Sequence, residues 1–552
     1  MDITDLESLP PDPALDADIC IVGSGPAGLT VASELAGSGA RVLILESGSL
    51  KEDDAADALN AFDSVGHPRA TTEWKTRNRI FGGTSHTWSG RCAEFDDIDY
   101  ARRDWVPGSG WDLPRSEMAP FIRRAARHLG LEAGDASPPP TAPSRPTPTR
   151  TSPAFDPKLV SRTTWEFSRE DNRPRDFIRF GPRFLQQHAD TDTRVLLNAT
   201  VTQVLVNAAG TAVEGVEVCG PSGRRASVRT PLLVLCAGGI ENARMLLLSD
   251  RVAPGGLGNR HDQVGRFLMD HPRCALGEFD PRDAHRLRAY FGGYSRSVAG
   301  RRHDFIDGLS LSPHAQEARR LLNCAAWVDE ERAPDNPFDA ARRLVQRSSP
   351  GVPRDAWTVA SQIGLIGRAV SDRFVAGRSV THKYSRLTLM CLVEQRLDPD
   401  SRVTLGTRLD RHGLRLPLID WRIGAQERES VATLAQTVKA ELDRLGLPPL
   451  HLRDWIAAGQ HGRAEFDDAA HQTGTTRLAR DPRRGVVDVD CGVHGVAGLF
   501  VAGSSVFPTA GHANPTQMIL AFAVRLADHL KAQLAARGGP GTAGRQRMAE
   551  PA

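Results

Sequence analysis

The sequence of 552 residues has no apolar run that approaches the ~18 residues of a membrane-spanning helix. It also has no excess of charge of one sign, because 69 Lys and Arg stand against 67 Asp and Glu. No overall field therefore indicates a nucleic acid or a membrane surface as a partner. The first residues lack the basic and apolar segments of a secretory signal. These absences predict a cytoplasmic protein without a membrane span.

Cysteine is scarce, with eight residues in the chain and no C-x-x-C pair of the kind that binds metals or carries redox chemistry. Several of the cysteines lie in apolar, strand-like runs, as expected for buried reduced thiols. We therefore predict no metal site. A chain of this length exceeds the size at which one hydrophobic core stops growing, so two or more domains are expected.

Near the N-terminus, two short apolar runs flank a glycine-rich turn and a helical stretch. The runs, Ile19–Val22 and residues 41–45, have the composition of parallel strands that are buried on both faces. Gly23 permits a sharp turn, Gly25 lets the backbone approach a pyrophosphate, and Gly28 lets the helix pack closely on the strand. The pattern predicts a dinucleotide site with the phosphates at the helix N-terminus.

Glu46 follows this unit at roughly the 20-residue spacing at which an acid accepts hydrogen bonds from a ribose diol. Its negative charge would repel a 2′-phosphate. A tight strand-to-helix turn without any ligand is the alternative interpretation. This motif alone does not distinguish NAD from FAD.

Two further stretches predict a backbone that closely approaches a ligand. Gly83, Thr84 and Ser85 lie in a glycine-rich loop, for which an ordinary Gly/Ser turn is the alternative. Farther along, a buried apolar run ends at Ala237 and Gly238 and continues into a helical stretch. This second strand–glycine–helix pattern predicts a sheet that is assembled from distant parts of the chain.

From residue 273 to about residue 468, the pattern changes to alternating strands, such as residues 387–394 and 401–405. An amphipathic helix with apolar residues from Val431 to Leu442 ends near Gly446. We predict an α/β protein in which a nucleotide-binding domain is joined to a second domain built on an antiparallel sheet. The proline-rich residues 134–153 predict an extended surface loop.

The C-terminal part of the chain carries two blocks, His-Gln-Thr-Gly-Thr from His471 and Asn-Pro-Thr from Asn514, the second of which opens the last helix. The chain resembles the glucose–methanol–choline (GMC) family of FAD-dependent oxidoreductases. The resemblance rests on these two blocks together with the opening fingerprint, the loop at residues 83–85 and residues 237–239. The resemblance implies FAD as the cofactor, in a discontinuous Rossmann-like domain, and an α+β substrate domain that covers the flavin.

The predicted domain boundaries follow from these motifs. They are 17–100, 190–272 and 466–535 for the FAD-binding domain, 101–189 and 273–465 for the substrate domain, and 1–16 and 536–552 for flexible tails. The predicted cofactor-binding residues are Gly23, Gly25, Gly28, Glu46, Gly83, Thr84, Ser85, Val201, Ala237, Gly238, Gly503, Ser504, Pro515 and Thr516. Gly503 stands where many family members have an aspartate, so that side-chain contact is lost while backbone contacts to FAD can persist.

By the same resemblance, His471 and Asn514 form the catalytic pair. Alcohol oxidation removes the hydroxyl proton as hydride leaves carbon, and an imidazole with a pKa near ~6.5 is suited to accept that proton. The Asn514 amide can orient the same oxygen without titrating. The alternatives are a purely structural histidine and, for Asn514, a helix N-cap followed by proline, which is compatible with a catalytic role.

Several residues near this pair are assigned to the substrate or to flavin attachment. His512, which competes with Asn514 for the second catalytic place, is assigned to substrate shaping together with Trp88. Some sugar-oxidising flavoproteins attach the flavin covalently to a histidine in a similar loop. Here Thr87 directly precedes Trp88 and His86 is displaced by one position, so we predict non-covalent FAD.

The predicted activity is oxidation of an alcohol to a carbonyl by hydride transfer to flavin N5, with His471 as base. The Trp88 loop and the Asp-His-Pro at residues 270–272 resemble bacterial family members that act on sugars or cyclic polyols, so the substrate is expected to be a sugar, glycoside, aminosugar or cyclic polyol. Alternatives are a simple or aromatic alcohol, a monooxygenase or NAD(P)H-dependent reductase, and a flavin-fold binding protein without turnover. The electron acceptor, whether oxygen, quinone or redox protein, is left open.

Overall fold

The computed structural model describes residues 1–10, 13–69, 77–131, 153–170, 176–298, 300–348, 350–374 and 380–537. In chain order, its strands are β1 Asp2–Asp5, β2 Ala14–Asp16, β3 Ile19–Val22, β4 Val42–Leu45, β5 Asp63–Gly66, β6 Arg91–Cys92, β7 Val160–Phe167, β8 Arg194–Leu197, β9 Thr200–Val206, β10 Val213–Cys219, β11 Arg225–Arg229, β12 Leu233–Leu235, β13 Arg273–Phe279, β14 Tyr294–Val298, β15 Arg301–Leu311, β16 Cys324–Arg332, β17 Tyr384–Val393, β18 Arg402–Leu409, β19 Arg415–Trp421, β20 His451–Leu452 and β21 Leu499–Val501. The α-helices are α1 Pro26–Leu35, α2 Asp54–Asp57, α3 Asp97–Tyr100, α4 Arg115–His128, α5 Phe180–Gln187, α6 Gly238–Leu248, α7 Ala284–Phe291, α8 Pro313–Arg319, α9 Pro337–Val345, α10 Val352–Ser361, α11 Ile363–Phe374, α12 Ala425–Arg444, α13 Asp454–Ala457 and α14 Thr516–Ala536.

A six-stranded parallel sheet with the order β1-β8-β4-β3-β12-β21 confirms the predicted discontinuous nucleotide-binding fold. Strands β3, β12 and β21 are distant in sequence, yet they are neighbours in this sheet. Each is buried along its whole length, which explains the unbroken apolar runs. Helices α1 and α14 pack against each other beside the sheet, so the two ends of the chain meet there.

A larger antiparallel sheet with the order β20-β13-β17-β16-β15-β7-β6, in which β14 also pairs with β15, forms the second layer of the molecule. Helix α12 packs on this sheet through the apolar face that the sequence predicted, with Val431 and Leu442 in the core. The backbone turns after the helix at Gly446, where φ is +62°. These observations confirm the predicted α+β architecture.

Two smaller sheets support the main ones. Strands β9, β10 and β11 form a small antiparallel layer, and β2 extends it. Strands β18 and β19 pair with β5, and Val403, Ile419 and Trp421 from this sheet pack against Ile240 of α6. This small sheet therefore joins residues of the predicted substrate segment to the nucleotide-binding side. The predicted domain boundaries stay a prediction.

The prediction of a flexible tail over residues 1–16 is wrong for the described residues 1–10 and 13–16. Strand β1 pairs in parallel with β8 at the edge of the six-stranded sheet, and β2 pairs with β11. Leu6 between them is fully buried, and the Met1 ammonium donates to the carbonyl of Ala189 at 2.7 Å. Unpaired N–H and C=O groups on two sheet edges gain partners in this way.

The last helix continues to Ala536, one residue into the predicted C-terminal tail. The rest of that tail, from residue 538, and residues 134–152 of the predicted proline-rich loop lie outside the described residues. All eight cysteines are described, buried and free of disulfides. In the ranges that the structure describes, no helix combines the length and apolarity needed to cross a bilayer.

Candidate active site

The opening fingerprint has the close contacts that its glycines predict. Gly23 follows β3 with φ +97°, and a Cβ there would lie 2.8 Å from the carbonyl oxygen of Cys236 on the neighbouring strand segment. A Cβ at Gly28 would lie 2.0 Å from the carbonyl oxygen of Gly23. These contacts bring α1 against the strand, with its N-terminus at the edge of a cavity.

That helix N-terminus is suited to bind phosphate. Its N-cap is Gly25, and within the described chain no side chain caps the helix. The N–H groups of its first turn therefore have no side-chain acceptor and are available to a ligand in the cavity. A Cβ at Gly25 or at Gly238 would have no described atom within 4 Å, which shows that both glycines border open space. The cavity has a volume of about 480 Å³. These features fit a dinucleotide such as FAD.

Glu46 lies at the wall of this cavity and is 4% exposed. Its carboxylate accepts hydrogen bonds from the backbone N–H and hydroxyl of Ser24 and from the N–H of Gly48 at 2.8 Å. These contacts hold the carboxylate against the turn that follows β3. Its contact with a ribose stays a prediction.

The glycine-rich loop of residues 83–86 packs directly on the fingerprint. Gly83 has φ +54°, and a Cβ at this position would lie 2.8 Å from the Cα of Gly25. The hydroxyl of Ser85 donates to the carbonyl of Gly82 and accepts from the N–H of Phe180, which holds the loop in shape. The loop therefore forms one wall of the cavity and is more than an ordinary surface turn.

The structure gathers nearly all the predicted cofactor-binding residues around one cavity. Those that line it are Gly23, Gly25, Glu46, Gly83, Thr84, Ser85, Val201, Ala237, Gly238, Gly503, Ser504, Pro515 and Thr516. Gly28 is not among the lining residues described, and it serves the close helix packing instead. Trp88, His471 and Asn514 line the same cavity, so one space connects the predicted cofactor and catalytic groups.

His471 and Asn514 lie side by side. The Asn514 Nδ2 atom is 3.5 Å from the Nε2 atom of His471, and the buried Asn514 Oδ1 has no hydrogen-bond partner among the described residues. Desolvation lowers the pKa of His471 well below its ordinary value, and the neighbouring His271 and Arg273 lower it further. His471 is therefore a neutral imidazole at neutral pH, able to accept a proton.

The local backbone explains how His471 is presented. Ala470 has φ +58°, an uncommon conformation for a residue other than glycine. The N–H groups of Ala469 and His471 both donate to Asp270 Oδ1, at 3.2 and 2.9 Å. Asp270 in turn pairs with Arg69, whose side chain is 4% exposed. A buried ion pair thus holds the segment that carries the imidazole.

The helix-cap interpretation of Asn514 is wrong. Helix α14 begins at Thr516 with Pro515 as its N-cap, and no side-chain cap occurs there within the described chain. The Asn514 side chain turns to His471 instead. Because the helix begins at Thr516, Asn514 lies one position before its N-cap.

The prediction that His512 shapes the substrate is not supported. His512 is 1% exposed and is not among the described residues that line the cavity. Its Nδ1 atom lies 3.6 Å from Asp96 Oδ2, and its ring packs edge-on against Trp165. Sequence proximity to Asn514 suggested a shared site, but the chain turns between the two residues and directs His512 into the protein.

His86 does not line the cavity either, among the residues described, whereas its neighbours Thr87 and Trp88 do. The His86 Nε2 atom is 3.1 Å from the carbonyl oxygen of Phe81. The indole of Trp88 donates to the carbonyl of Ile178 at 2.8 Å, so its ring is held at the wall. This arrangement supports the prediction of non-covalent FAD.

Two groups of functional interest were missed in the sequence. His271 Nδ1 lies 2.8 Å from His471 Nδ1, although 200 residues separate the two. At the cavity wall, Glu241 forms ion pairs with three arginines, Arg77, Arg79 and Arg244. Burial alone would raise the pKa of Glu241, but the three guanidinium groups hold it at about 2. For His271, the only signal in the sequence is the Asp-His-Pro motif. The Arg-Asn-Arg at residues 77–79 contains no signal that its arginines lie at the cavity wall.

Comparison with known proteins agrees with the FAD-binding cavity that the geometry indicates. Residues 398–523 match a model of the GMC oxidoreductase family, and residues 16–58 match a model of an FAD-binding domain. The chain is 23% identical to 6'''-hydroxyparomomycin C oxidase of Streptomyces lividus over 94% of its length and 93% of the relative's. It is 22% identical to the fructose dehydrogenase large subunit of Gluconobacter japonicus, over 93% and 97% of the two chains. Its fold matches a crystal structure of formate oxidase with a TM-score of 0.56 at 17% identity, covering 95% and 99% of the two chains.

Proposed function

Because this chain is an FAD-dependent oxidoreductase of the GMC family, we propose that it oxidises a hydroxyl group of a sugar, aminosugar, glycoside or cyclic polyol, with His471 as the base. The observation that carries the proposal is the convergence of a neutral imidazole and an amide at one end of the cavity. The described residues that would hold FAD form the rest of the same cavity.

FAD, when bound, supplies the hydride acceptor at its N5 atom. In the proposed reaction, the substrate hydroxyl donates its proton to the Nε2 atom of His471 while the carbon loses hydride. The low pKa of His471 keeps its imidazole neutral before the reaction, so one of its two ring nitrogens is free to accept a proton. Asn514 contacts the same nitrogen and would hold the hydroxyl oxygen between the two side chains.

The substrate class rests on the relatives and on the lining of the reactive end. The named relatives act on an aminoglycoside and on fructose, which are both polyhydroxylated. The wall of the cavity that His471 lines also carries Ser89, Arg91 and Trp88. Burial lowers the pKa of Arg91 to about 10, so its guanidinium remains a charged donor at neutral pH. Such a wall suits a polar ring with several hydroxyl groups.

Anaerobic reduction of the flavin tests this proposal. The purified holoenzyme is mixed without oxygen with an aminoglycoside, fructose, methyl glucoside, inositol, benzyl alcohol and ethanol, and the flavin absorbance is followed. We expect bleaching by one or more of the polyhydroxylated compounds and little by the last two. Bleaching only by benzyl alcohol or ethanol would refute the substrate class but not the alcohol oxidation. Admitting air afterwards distinguishes an oxidase from a dehydrogenase.

Release of the flavin tests the mode of attachment. Because the His86 ring bonds the Phe81 carbonyl and Thr87 replaces the histidine needed for a covalent link, acid precipitation is expected to leave FAD in the supernatant. Absorbance spectra of supernatant and pellet measure this directly. A yellow pellet that persists after washing would show that the flavin is covalently attached.

A further inference from the structure

We infer that His271 is a positioning residue that sets the tautomer of His471, so that the proton-accepting nitrogen of the base is Nε2. The inference deepens the proposed function and rests on it for its catalytic meaning. The tautomer itself is a property of the resting protein and can be measured without turnover.

The hydrogen bonds around the two histidines have only one consistent direction. The carbonyl oxygen of Ala510 can only accept, and it lies 3.3 Å from the Nε2 atom of His271. The Nε2 atom therefore carries the proton of a neutral His271, which leaves its Nδ1 as an acceptor. That Nδ1 is 2.8 Å from the Nδ1 of His471, so the Nδ1 of His471 must be the donor.

The far side of His471 agrees with this assignment. A neutral imidazole that is protonated at Nδ1 has its lone pair at Nε2. The amide Nδ2 of Asn514, which can only donate, is the group that faces this nitrogen at 3.5 Å. Nε2 is thus an acceptor, and it lies beside the cavity where a substrate hydroxyl would bind.

His271 is held so that it cannot readily turn away. Its side chain is fully buried, and its backbone N–H donates to Asp270 Oδ1 at 2.7 Å. The same carboxylate oxygen accepts from the N–H of His471 at 2.9 Å, so one buried group aligns both backbones. The two rings are nearly perpendicular, with an interplanar angle of 82°. This geometry supports an in-plane hydrogen bond between them and excludes stacking.

Without the acceptor at residue 271, the neutral His471 would lose the partner that retains its proton on Nδ1. The proton could then reside on Nε2, where it would block proton acceptance from the substrate. In serine hydrolases, the analogous loss of tautomer control costs up to about 10⁴ in rate. A smaller loss, about 10²-fold, is expected here because the amide of Asn514 still faces Nε2 and opposes its protonation.

Charged groups from several elements act on this pair. Those that affect His471 are His271, Arg273, Asp468 and Arg91, and those that affect His271 are Asp270, His512 and Glu394. Of these groups, His271 is the one whose ring nitrogen contacts the Nδ1 atom of His471 directly, at 2.8 Å. A change at residue 271 that alters charge should therefore shift the pKa of His471 more directly than a change at the others.

The test compares three variants in the holoenzyme. His271→Asn places an amide oxygen near the position of Nδ1 and retains the acceptor, His271→Asp retains it and adds a negative charge, and His271→Leu removes it. We expect the rate of flavin reduction in His271→Asn to stay within a fewfold of the unmodified enzyme and that in His271→Leu to fall about 10²-fold. In His271→Asp, the acid limb of the pH profile should move to higher pH, because the carboxylate raises the pKa of His471.

Histidine-selective 15N NMR of the resting enzyme supplies the second measurement. The His471 signals, assigned by their loss in His471→Ala, should show a protonated Nδ1 in the unmodified enzyme and in His271→Asn. A protonated Nε2 in the unmodified enzyme would overturn the inference, as would equal reduction rates in His271→Leu and His271→Asn. If His471→Ala reduces its flavin normally, the proposed function fails, and this outcome is distinct from the tautomer result.

Discussion

Replacing His471 with alanine is expected to slow flavin reduction by substrate by on the order of 10²–10⁴-fold, while FAD stays bound. The imidazole is neutral and is the proton acceptor that we propose, and no other described histidine lines that cavity. The cavity wall around the fingerprint is unchanged by the substitution, so the flavin spectrum of the oxidised protein should persist. Anaerobic stopped-flow absorbance measures the rate at saturating substrate.

A suitable control is His314→Ala. His314 lies exposed on α8 and is not among the described residues that line the cavity, so its loss should leave the reduction rate unchanged. Reduction of His471→Ala at the rate of the control would remove His471 from the mechanism. Loss of FAD from the variant would instead indicate a structural role for this side chain.

Replacing Arg103 with methionine is expected to destabilise the protein by about 3–5 kcal/mol, which is the cost of leaving a buried charge without its partner. Arg103 and Glu394 are 1% and 0% exposed and form a bidentate ion pair, with N–O distances of 2.7 and 2.6 Å. The same carboxylate accepts the backbone N–H of Asn323 at 3.2 Å. The pair therefore ties the segment that follows α3 to the end of β17. A lower urea midpoint of unfolding measures the loss.

An exposed ion pair at Asp104, the residue after Arg103, provides a matched control. Asp104 pairs with Arg320 at 3.3 Å, but both side chains are largely exposed, at 75% and 61%. Arg320→Met should therefore cost no more than about 1 kcal/mol, because water screens exposed pairs. The double variant Arg103→Met, Glu394→Gln should be less destabilised than Arg103→Met, since no net charge is then buried alone. Equal midpoints for Arg103→Met and Arg320→Met would contradict this account.

Local patterns predicted the strands and turns of the nucleotide-binding part because each depends on neighbouring residues. Gly23 and Gly28 could be interpreted from spacing alone, and the structure shows the backbone contacts that exclude a side chain at both positions. The apolar runs at β3 and β12 indicated buried parallel strands, and the two are neighbours in one sheet. Their order in that sheet does not follow from spacing.

Other expectations failed where distant chain segments compete for the same residues. The sequence predicts a flexible tail over residues 1–16, but β1 pairs with the open edge of β8. Asn514 has the sequence of a helix cap, yet its amide contacts an imidazole 43 residues earlier. His512 was placed at the site by its position in the sequence, and the turn before α14 directs it elsewhere.

The order of residue types was enough to predict a dinucleotide site, and the resemblance of its blocks to one family implied FAD and alcohol oxidation, because a glycine fingerprint and a histidine followed by an Asn-Pro block are local signals. The tertiary structure alone decided which nitrogen of His471 is free to accept a proton. That choice depends on the meeting of His271, His471 and the carbonyl of Ala510. These three groups lie far apart along the chain, and a hydrogen bond is formed only when donor and acceptor come within about 3.5 Å.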